Sequence, residues 1–493
     1  MTTPRYPSLF QLNTRVRMTE LSWQLGRRAT LDDLPDADLD QWAAEGFDWI
    51  WLLTVWQTGE AGRRISQTHP GWLEEFRETL PDLTLDDVGG SGFAITGYTV
   101  SRELGGDEAL ARLRTRLKQR GLRLMLDFVP NHMALDHPWV QSHPEYFISG
   151  TEEDLIQQPE NYVRIGGANG ERIFAHGRDP NFAGWPDTLQ LDYTRPETQA
   201  AMRQELVRIS GQCDAVRCDM AMLVLPEIFE RTWGKTPPPF WPQAIAEVRA
   251  AHPDFCLMAE VYWDMEWQLQ QLGFDYAYDK RLYDRLHDGD AKPVRQHLLA
   301  PLNYQDKLAR FLENHDEQRA ATVFPWQKHK AAAVVTYLTP GLRFFHHGQF
   351  EGFLKRIGPH LLRGPDEPVN VVIQRFYSQL LEILRRSTVR DGRWTLLESQ
   401  PAWDGNWTWE DCIAFVWQHG NDSPLLIAVN FSDHQSQCRV ALPIEDLASS
   451  SWQLADLLSE DCYERRGAEL ASTGLFLDLA PWQAAVYECS RVA

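Results

Sequence analysis

Eight short apolar segments recur between residues 10 and 346 of this chain, and stretches with helical periodicity separate them. This alternation is typical of a parallel sheet whose strands are joined by helical crossovers. Eight parallel strands close a (β/α)8 barrel, which is an α/β fold. We therefore predict barrel strands at Phe10–Val16, Asp48–Leu53, Leu122–Val129, Asp214–Met220, Phe255–Val261, Phe274–Tyr278, Ala309–Glu313 and Leu342–His346.

Three of the intervening segments carry clear helix signals. Gly106–Arg120 has acidic residues near its start and basic residues near its end, which complements the helix dipole. Pro196–Gly211 follows Thr194, the predicted N-cap, and has proline in its first turn. Val369–Arg386 is amphipathic and would complete the barrel.

The pattern also predicts how the chain divides. Residues 58–92 and 133–190 form long connections after strands, where a barrel places the loops of its active site. From about residue 392 the pattern changes to short alternating strands. We predict a catalytic barrel at 1–390, with an excursion at 133–190, and a C-terminal antiparallel β-sandwich domain at 391–493. The predicted C-terminal strands are Ile413–Trp417, Leu425–Asn430, Gln437–Leu442, Gly474–Leu479 and Ala484–Glu488.

Charged side chains end four predicted strands where a core would hold apolar ones: Asp127 on the third, Arg217 and Asp219 on the fourth, Glu260 after the fifth and Asp316 after the seventh. The C-terminal ends of barrel strands converge on one bowl, so carboxylates far apart in sequence can meet there. Like charges raise one another's pKa, whereas Arg217 beside Asp219 favours an ionised carboxylate. One ionised and one protonated acid are what retaining glycoside chemistry requires. Salt bridges at loop edges are the alternative, and four strand ends together disfavour it.

Four short motifs in order resemble the α-amylase clan of glycoside hydrolases and transglycosidases. They are DFVPNH at Asp127–His132, AVRCDMA at Ala215–Ala221, AEVYW at Ala259–Trp263 and ENHDE at Glu313–Glu317. The resemblance extends from about Phe10 to Gln349. It implies that Asp219 is the nucleophile, Glu260 the general acid/base and Asp316 the carboxylate that stabilises the transition state.

The same resemblance implies supporting roles for other residues. Arg217 would orient Asp219, Asp127 would brace the site, and His132 and His315 would hydrogen-bond sugar hydroxyls. Phe93 replaces a tyrosine that stacks on the reacting sugar. Two weaker matches are Trp185–Leu191, similar to an additional signature of the clan, and Asn131, where many members bind calcium. We otherwise expect no metal and no cofactor.

The sequence departs from the clan on the acceptor side of the site. Many amylases carry Lys-His shortly after the nucleophile, and here Met222 and Leu223 stand at those positions. Asp214 also replaces the glycine that precedes the arginine motif. Because Met222 and Leu223 cannot donate hydrogen bonds from their side chains, we expect an apolar acceptor side. The expectation that follows is weak activity on starch compared with short α-glucosides.

Three functional hypotheses remain open beside a retaining α-glycosidase of short α-glucans or disaccharides. A transglycosidase or isomerase, of the glucanotransferase or trehalose-synthase type, would use the same three acids. A catalytically silent carbohydrate-binding subunit usually lacks one of them, and all three are present here. A metal-dependent barrel enzyme would need ligands on adjacent strands, which one arginine and three acids fit poorly.

Composition limits the partners. A net charge of −21 would repel nucleic acids and anionic membranes, but a neutral sugar is indifferent to it. Most of the 20 tryptophans are expected in the core, although some could form platforms for sugar rings. The first residues carry no secretion signal, no stretch of 18 apolar residues exists, and seven cysteines suggest no disulfide framework. We therefore expect a cytoplasmic enzyme with a small-molecule or oligosaccharide substrate.

Overall fold

The computed structural model describes residues 4–167 and 170–492 and contains a closed barrel of eight parallel strands. Each strand pairs with the next along the chain, and the eighth pairs with the first. This is the predicted (β/α)8 barrel. Its strands are β1 (Ser8–Asn13), β2 (Trp49–Leu53), β3 (Arg123–Phe128), β4 (Ala215–Cys218), β5 (Cys256–Ala259), β6 (Tyr276–Tyr278), β7 (Leu308–Arg310) and β8 (Leu342–His346).

Several local predictions were wrong; β7, for example, ends at Arg310 rather than Glu313. β1 ends at Asn13 rather than Val16, because the Asn13 side chain accepts a hydrogen bond from the backbone N–H of Val16 and caps the next helix. Thr194 does not cap Pro196–Ser210; the N-cap is Arg195, which makes no side-chain capping bond. Thr194 is instead held by hydrogen bonds to the carboxylate of Asp192.

Helices form the outer layer of the barrel. The predicted helices are present as Gly106–Gln119, Pro196–Ser210 and Val371–Leu384. The other α-helices are Thr14–Leu25, Asp36–Ala44, Glu60–Thr68, Pro70–Thr79, Trp139–Ser142, Glu152–Gln157, Pro226–Trp233, Trp241–Ala251, Glu266–Leu272, Lys280–Asp288, Ala291–Leu298, Leu302–Gln305, Ala320–Val323, Trp326–Tyr337, Ser387–Arg390 and Gly467–Thr473. Short 3-10 helices lie at Leu31–Asp33, Leu85–Asp87, Arg102–Leu104, Pro144–Tyr146, Ala221–Val224, Thr408–Asp411 and Leu447–Ser449.

The long connections contain three small antiparallel pairs. Trp56–Thr58 pairs with Ile95–Val100 and brackets the connection after β2. His132–Ala134 pairs with Thr188–Gln190 and closes the base of the excursion after β3. Within that excursion, Tyr162–Gly167 pairs with Gly170–Ala175. Both connections are therefore anchored next to the strand ends that precede them.

The C-terminal part is antiparallel, as predicted. Its strands are β9 (Arg393–Leu397), β10 (Ser399–Gln400), β11 (Cys412–Gln418), β12 (Leu425–Asn430), β13 (Ser436–Val440), β14 (Ser451–Asp456), β15 (Cys462–Arg466), β16 (Leu475–Leu479) and β17 (Ala484–Val492). One sheet has the order β9-β11-β12-β17-β14-β15 and a second has the order β10-β13-β16. Sequence analysis did not predict β9, β10, β14 or β15; β15 is a largely exposed edge strand whose CYERR sequence has no apolar face.

Strand β11 illustrates how this sheet joins the barrel. Ile413, Phe415 and Trp417 belong to the main core, while the alternating Cys412, Ala414 and Val416 face a second, smaller core. This is the period of two that a strand buried on both faces produces. The Trp417 indole N–H also donates to the backbone carbonyl of Leu338, at 2.7 Å. The boundary at residue 390 between two domains stays a prediction.

Two further observations concern the chain as a whole. No helix in residues 4–167 and 170–492 is long and apolar enough to cross a membrane. All seven cysteines lie within these ranges and are free thiols.

Candidate active site

Arg217 is the centre of a buried cluster at the C-terminal ends of the strands. Its side chain is fully buried on β4, and Nη1 donates to Oδ1 of Asp219 at 2.7 Å. Nη2 donates to Oε2 of Glu260 at 2.6 Å, and Oδ1 of Asp127 lies 3.6 Å from Nη1. One guanidinium therefore fixes two carboxyl groups relative to each other, in the forked geometry that arginine favours. We call Asp127, Arg217, Asp219 and Glu260 the floor of the site.

The barrel ladder itself positions the two carboxyl groups. The backbone N–H of Asp219 donates to the carbonyl of Phe128, and that of Glu260 donates to the carbonyl of Cys218. These bonds continue the parallel pairing of β4 with β3 and β5 by one residue beyond each strand. Both side chains therefore leave the sheet from rigid backbone, as a preorganised site requires.

Glu260 is held by three donors and is still a weak acid. Besides Arg217, the backbone N–H of Met220 donates to Oε2 at 2.7 Å and the Tyr262 hydroxyl donates to Oε1 at 2.8 Å. Burial raises the pKa of Glu260 to about 8, against the lowering effect of Arg217, with the negative charge of Asp219 raising it further. This carboxyl group therefore keeps its proton at neutral pH, as a general acid must.

Met220 adopts a backbone conformation that is unusual for its residue type. Its φ is +41°, in the left-handed region that side-chain-bearing residues rarely occupy. The hydrogen bond from its N–H to Glu260 holds this conformation, and the side chain lines the cavity above the floor. Strained backbone of this kind persists where the surroundings over-determine it, often at active sites.

A buried network sets the tautomer of His315. The Gln11 amide Nε2 lies 3.0 Å from Nδ1 of His315, and its Oε1 lies 2.6 Å from Nδ1 of His346. Burial lowers the pKa of His315 to about 4, so the ring is neutral. Because an amide nitrogen can only donate, Nδ1 of His315 accepts and its proton resides on Nε2. That nitrogen lies 3.1 Å from Oδ2 of Asp316, whose side chain remains 40% exposed.

A cavity of about 280 Å³ lies over the floor. Five of the predicted site residues line it, namely Phe93, His132, Asp219, Glu260 and Asp316. The Phe93 ring centroid lies 5.2 Å from the guanidinium carbon of Arg217 and 5.5 Å from the His315 ring. Burial lowers the pKa of His132, so this ring is neutral beside the cavity. The structure thus brings these residues to one place.

Three predicted residues lie behind the cavity rather than on its surface: Asp127, Arg217 and His315. Asp127 accepts a hydrogen bond from the backbone N–H of Thr54, and burial raises its pKa to about 6. It therefore contacts the guanidinium from below, which is consistent with a bracing role.

Three connections also line the cavity, and we call their lining residues the wall. They are Trp72 and Ser91 after β2, Trp185, Asp187 and Thr188 from the excursion, and Pro359 and His360 after β8. The two predicted connections do line the cavity. Sequence analysis missed the third because residues 347–370 carry no motif. The His360 ring packs 4.6 Å from that of Trp72, joining two of these connections.

Asp187 is the most unusual residue of the wall. It is buried, and its Oδ2 has no hydrogen-bond partner in the described part of the chain. Burial raises the pKa of this carboxyl group to about 7. A buried polar atom without a partner is costly unless a ligand satisfies it. Its place within the Trp185–Leu191 match was a signal that could have identified it.

We expected Met222 and Leu223 to form an apolar surface on the acceptor side of the site, and this expectation was wrong. Met222 and Leu223 lie in the short helix Ala221–Val224, and both are buried in the main core rather than in the cavity. The helix turns these side chains away from the site, and the Trp241 indole N–H anchors it at the carbonyl of Ala221. Met220, two residues earlier, supplies the apolar surface instead.

The residues around Asn131 do not fit calcium. Its Oδ1 accepts a hydrogen bond from Gln190 Nε2 at 3.0 Å, and its Nδ2 lies 3.4 Å from the His132 ring. Calcium takes typically about six to eight oxygen ligands, many of them carboxylates. Within residues 4–167 and 170–492, no group of three or more His, Cys, Asp or Glu side chains could hold a metal ion.

The geometry agrees with similarities to other proteins. The family model for the α-amylase catalytic domain matches residues 46–181. Alpha-amylase 3 of Dictyoglomus thermophilum is 23% identical over 279 residues, which are 52% of this chain and 53% of that protein. An alpha-1,4-glucan:maltose-1-phosphate maltosyltransferase of Burkholderia pseudomallei is 27% identical over 263 residues, 51% of this chain and 19% of that protein. The chain thus spans about half of the first relative's length and about a fifth of the second's.

Solved structures with the same fold cover the whole chain. The maltogenic alpha-amylase AmyB from Thermotoga neapolitana superposes with a TM-score of 0.69 at 18% identity, over 100% of both chains. The alpha-amylase from Geobacillus thermoleovorans, solved with acarbose, gives a TM-score of 0.65 at 18% identity, again over 100% of both chains. At this identity the likeness concerns the fold: the barrel and the C-terminal sheets together form one known architecture.

Proposed function

We propose that this chain is a retaining enzyme of the α-amylase clan that cleaves or transfers α-glucosyl units, with Asp219 as nucleophile. The match of the α-amylase catalytic-domain model to residues 46–181 supports this proposal. The observation that carries the proposal is the shared guanidinium of Arg217, which bonds both Asp219 and Glu260. It sets a nucleophile and an acid at fixed positions beside one cavity. Asp316 and His315 complete the set of groups.

In the first step, Oδ2 of Asp219 attacks the anomeric carbon while Glu260 gives its proton to the leaving glycosidic oxygen. Arg217 orients Asp219 for this attack because its Nη1 donates a hydrogen bond to Oδ1 and leaves Oδ2 free to react. Burial keeps Glu260 protonated. Asp316 holds hydroxyl groups of the reacting sugar while the Nε2–H of His315, behind the cavity, faces Oδ2 of Asp316 and orients it. The ring of Phe93 packs against the apolar face of the sugar. The product of this step is a glycosyl ester on Asp219.

In the second step, the ionised Glu260 removes a proton from an incoming hydroxyl group, whose oxygen attacks the anomeric carbon. Asp219 leaves as a carboxylate, Glu260 regains its proton, and the α-configuration is restored by the second inversion. If the incoming group is water, the reaction is hydrolysis. If it is a sugar hydroxyl, the reaction is transfer or isomerisation by the same machinery.

Short α-glucans or disaccharides are the substrates that we propose. The support is the wall, in which three connections line the cavity with Trp72, Trp185 and His360. A polymer that is cut internally must run through an open cleft, whereas a walled cavity admits a chain end or a short sugar. Met222 and Leu223 are buried and do not line the cavity.

Transfer is the second candidate, favoured by one specific observation: several relatives are named alpha-1,4-glucan:maltose-1-phosphate maltosyltransferase. At 25–27% identity over about half of this chain, those names suggest acceptors other than water. The discriminating measurement is product analysis with α-linked disaccharides, maltooligosaccharides, and glucose-1-phosphate or maltose-1-phosphate. Free glucose or maltose indicates hydrolysis, whereas longer or rearranged glucosides indicate transfer.

Two measurements test the proposal as a whole. NMR of the first-formed product should show the α-anomer, and a β-anomer would contradict the roles of Asp219 and Glu260. Incubation with a 5-fluoro-α-glucosyl fluoride should leave one hexosyl group on the peptide that contains Asp219, detected by mass spectrometry. The preference for short substrates is tested by comparing kcat/KM on maltose to maltoheptaose with kcat/KM on starch. A fast fall in the iodine staining of starch would contradict this preference.

A further inference from the structure

A second cavity, of about 290 Å³, lies where the connection after β2 meets the helix Thr14–Leu25, and it shares no lining residue with the catalytic cavity. Its charged lining residues are Arg15, Arg28, Arg63, Arg102, Glu60 and Glu103. Positive side chains therefore outnumber negative ones here, although the chain as a whole carries a net charge of −21. A concave surface that collects positive charge attracts anions.

The backbone uses only one of the three side-chain nitrogens of Arg15. Nη1 donates to the carbonyl of Gly90 at 2.5 Å and to that of Pro359 at 2.8 Å. Nε and Nη2 have no hydrogen-bond partner among residues 4–167 and 170–492. Arg343 provides the contrast, because its Nε, Nη1 and Nη2 all donate to backbone carbonyls. Arg15 therefore keeps donors for a ligand, whereas the contacts of Arg343 are purely structural.

Arg63, on the helix Glu60–Thr68, supplies a second guanidinium without a counter-ion. In the part of the chain that the structure describes, neither Arg63 nor Arg15 forms an ion pair, whereas Arg28 and Glu103 pair with each other at 2.6 Å. Burial lowers the pKa of Arg15 to about 10; Glu103 raises this pKa, and the nearby charge of Arg63 lowers it. Two guanidinium groups that repel each other and have no acid of their own are stabilised by a bound anion.

The remaining lining residues suit an anion that carries a small polar body. They are the hydroxyl-bearing Thr19, Ser22, Thr58 and Ser101, the amide of Gln57, and the apolar Met18, Trp56, Leu104 and Leu362. The volume is at the lower end of the range for small-molecule sites, about 300–1,000 Å³. Hydroxyl groups beside the arginines can bond to a polyhydroxylated molecule, and the apolar side chains can pack against its carbon atoms.

Arg15 also connects this cavity to the wall of the catalytic one. The carbonyls that it binds belong to the connections after β2 and β8. Ser91, which follows Gly90 directly, lines the catalytic cavity, and so does Pro359. One guanidinium nitrogen thus holds together two of the three connections that form the wall.

We propose that Arg15 and Arg63 bind the phosphate group of a small phosphate monoester in this second cavity, outside the catalytic site. Guanidinium groups suit phosphate because their planar forks can donate two parallel hydrogen bonds to its oxygens. A bound phosphate also orders Arg15 and, through it, two connections of the wall. Phosphate should therefore lower KM for maltose severalfold and leave kcat unchanged, an effect that rests on the proposed function.

Isothermal titration calorimetry of the full chain with inorganic phosphate and with glucose 6-phosphate measures binding, against sodium chloride of equal ionic strength. Arg63→Gln should weaken the binding of both ligands about tenfold or more, because it removes a charged donor. Arg63→Lys keeps the charge and should lose less. The matched control is Arg64→Gln, an exposed neighbour on the same helix that lines neither cavity and should bind like the wild type. Without phosphate, kcat/KM on maltose should stay within about twofold of wild type in all three variants.

Several results would overturn the phosphate site. No binding of either ligand by the wild type would do so, as would equal affinity of the wild type and Arg63→Gln. Acetate that binds as tightly as phosphate would assign the cavity to carboxylates, and equal affinity for inorganic phosphate and glucose 6-phosphate would remove the monoester from the assignment. Binding that Asp219→Asn abolishes and Arg63→Gln retains would place the phosphate in the catalytic cavity.

The activity measurements separate this site from the proposed function. A KM for maltose that phosphate leaves unchanged in the wild type would contradict the connection through Arg15 to the wall. If no α-glucoside is turned over but phosphate binding still depends on Arg63, the proposed catalytic function fails and the phosphate site stands.

Discussion

The floor and the wall of the cavity are built in opposite ways. In the floor, Arg217 bonds Asp219 and Glu260, and Glu260 has two further donors. In the wall, the buried carboxyl of Asp187 leaves Oδ2 without a partner among the described residues. A group that performs chemistry must be oriented before the substrate arrives, whereas a group that selects the substrate can be satisfied by it. The comparison predicts that changes in the floor mainly alter kcat, and changes in the wall mainly alter KM.

The largest effect is expected at the nucleophile. Asp219→Asn keeps the shape of the side chain but removes its nucleophilic charge, so kcat should fall by about 10⁴-fold or more while substrate still binds. Steady-state kinetics and equilibrium binding measure the two parts. Asp214→Asn is the matched control, since Asp214 precedes the same strand at its other end and pairs with Arg114 outside the cavity. Activity of the Asp219 variant within tenfold of wild type would remove the residue from this role.

The second prediction concerns the proton of Glu260. Its raised pKa means that the acid form is present below about pH 8 and is lost as the pH rises through that value. Above it, kcat/KM should fall about tenfold for each pH unit. Tyr262→Phe removes the hydroxyl donor to Oε1, which favours the ionised form, so the alkaline limb should move to higher pH. A limb that stays in place, or moves to lower pH, would contradict the assigned hydrogen bond.

A smaller effect on kcat/KM is expected at Gln11, a positioning residue that contacts His315 behind the cavity. Gln11→Met keeps the length of the side chain but removes the donor to Nδ1 of His315, so its proton is no longer confined to Nε2. Loss of about 1–2 kcal/mol of hydrogen bonding would lower kcat/KM by about 5–30-fold. Nitrogen-15 NMR of the histidine rings would report the tautomer. If activity falls while the tautomer is unchanged, the effect is structural and the positioning role is wrong.

The smallest effect on turnover is expected in the wall. Asp187→Asn should change KM severalfold and leave kcat within about threefold, because the residue lines the cavity in the wall and not in the floor. The carboxyl group of Asp187 should also make the free energy of unfolding of the wild type depend on pH. The pKa of Asp187 rises from about 3.9 in the unfolded chain to about 7 on folding, so its contribution to stability is complete below about pH 3.9 and lost as pH rises through 7.

The gain in stability of the asparagine variant over wild type should therefore be larger at pH 8 to 9 than at pH 5, by about 1–3 kcal/mol, because only about a third of the change between pH 3.9 and 7 is complete at pH 5. Chemical unfolding at the two pH values measures this difference. The control is Asp179→Asn in the same excursion, where Oδ1 already accepts from the backbone N–H groups of Asn181 and Phe182. That variant should lose stability. Equal behaviour of the two variants would mean that Asp187 is not the unsatisfied group described above.

Sequence alone determined the barrel and its floor, because both depend on short-range regularities. The apolar segments alternate with helices, and the strands pair in the order of the chain, so acids placed after β4, β5 and β7 converge. Arg217 and Asp219 stand two residues apart, which puts them on one face of a strand. Local boundaries such as the strand end at Asn13 and the predicted helix cap at Thr194 were misassigned, because one side-chain hydrogen bond decides each of them.

Tertiary structure decided the wall and the protonation pattern. His360 reaches the cavity from a connection without a motif, and Met222 and Leu223 turn into the core although the pattern placed them on the acceptor side. The His315 tautomer depends on Gln11, which lies on β1 beside the last barrel strand only after the barrel closes. Burial, which raises the pKa of Glu260 and Asp187, is a property of the packed surroundings. No periodicity in the chain encodes it, because it depends on which distant side chains exclude water.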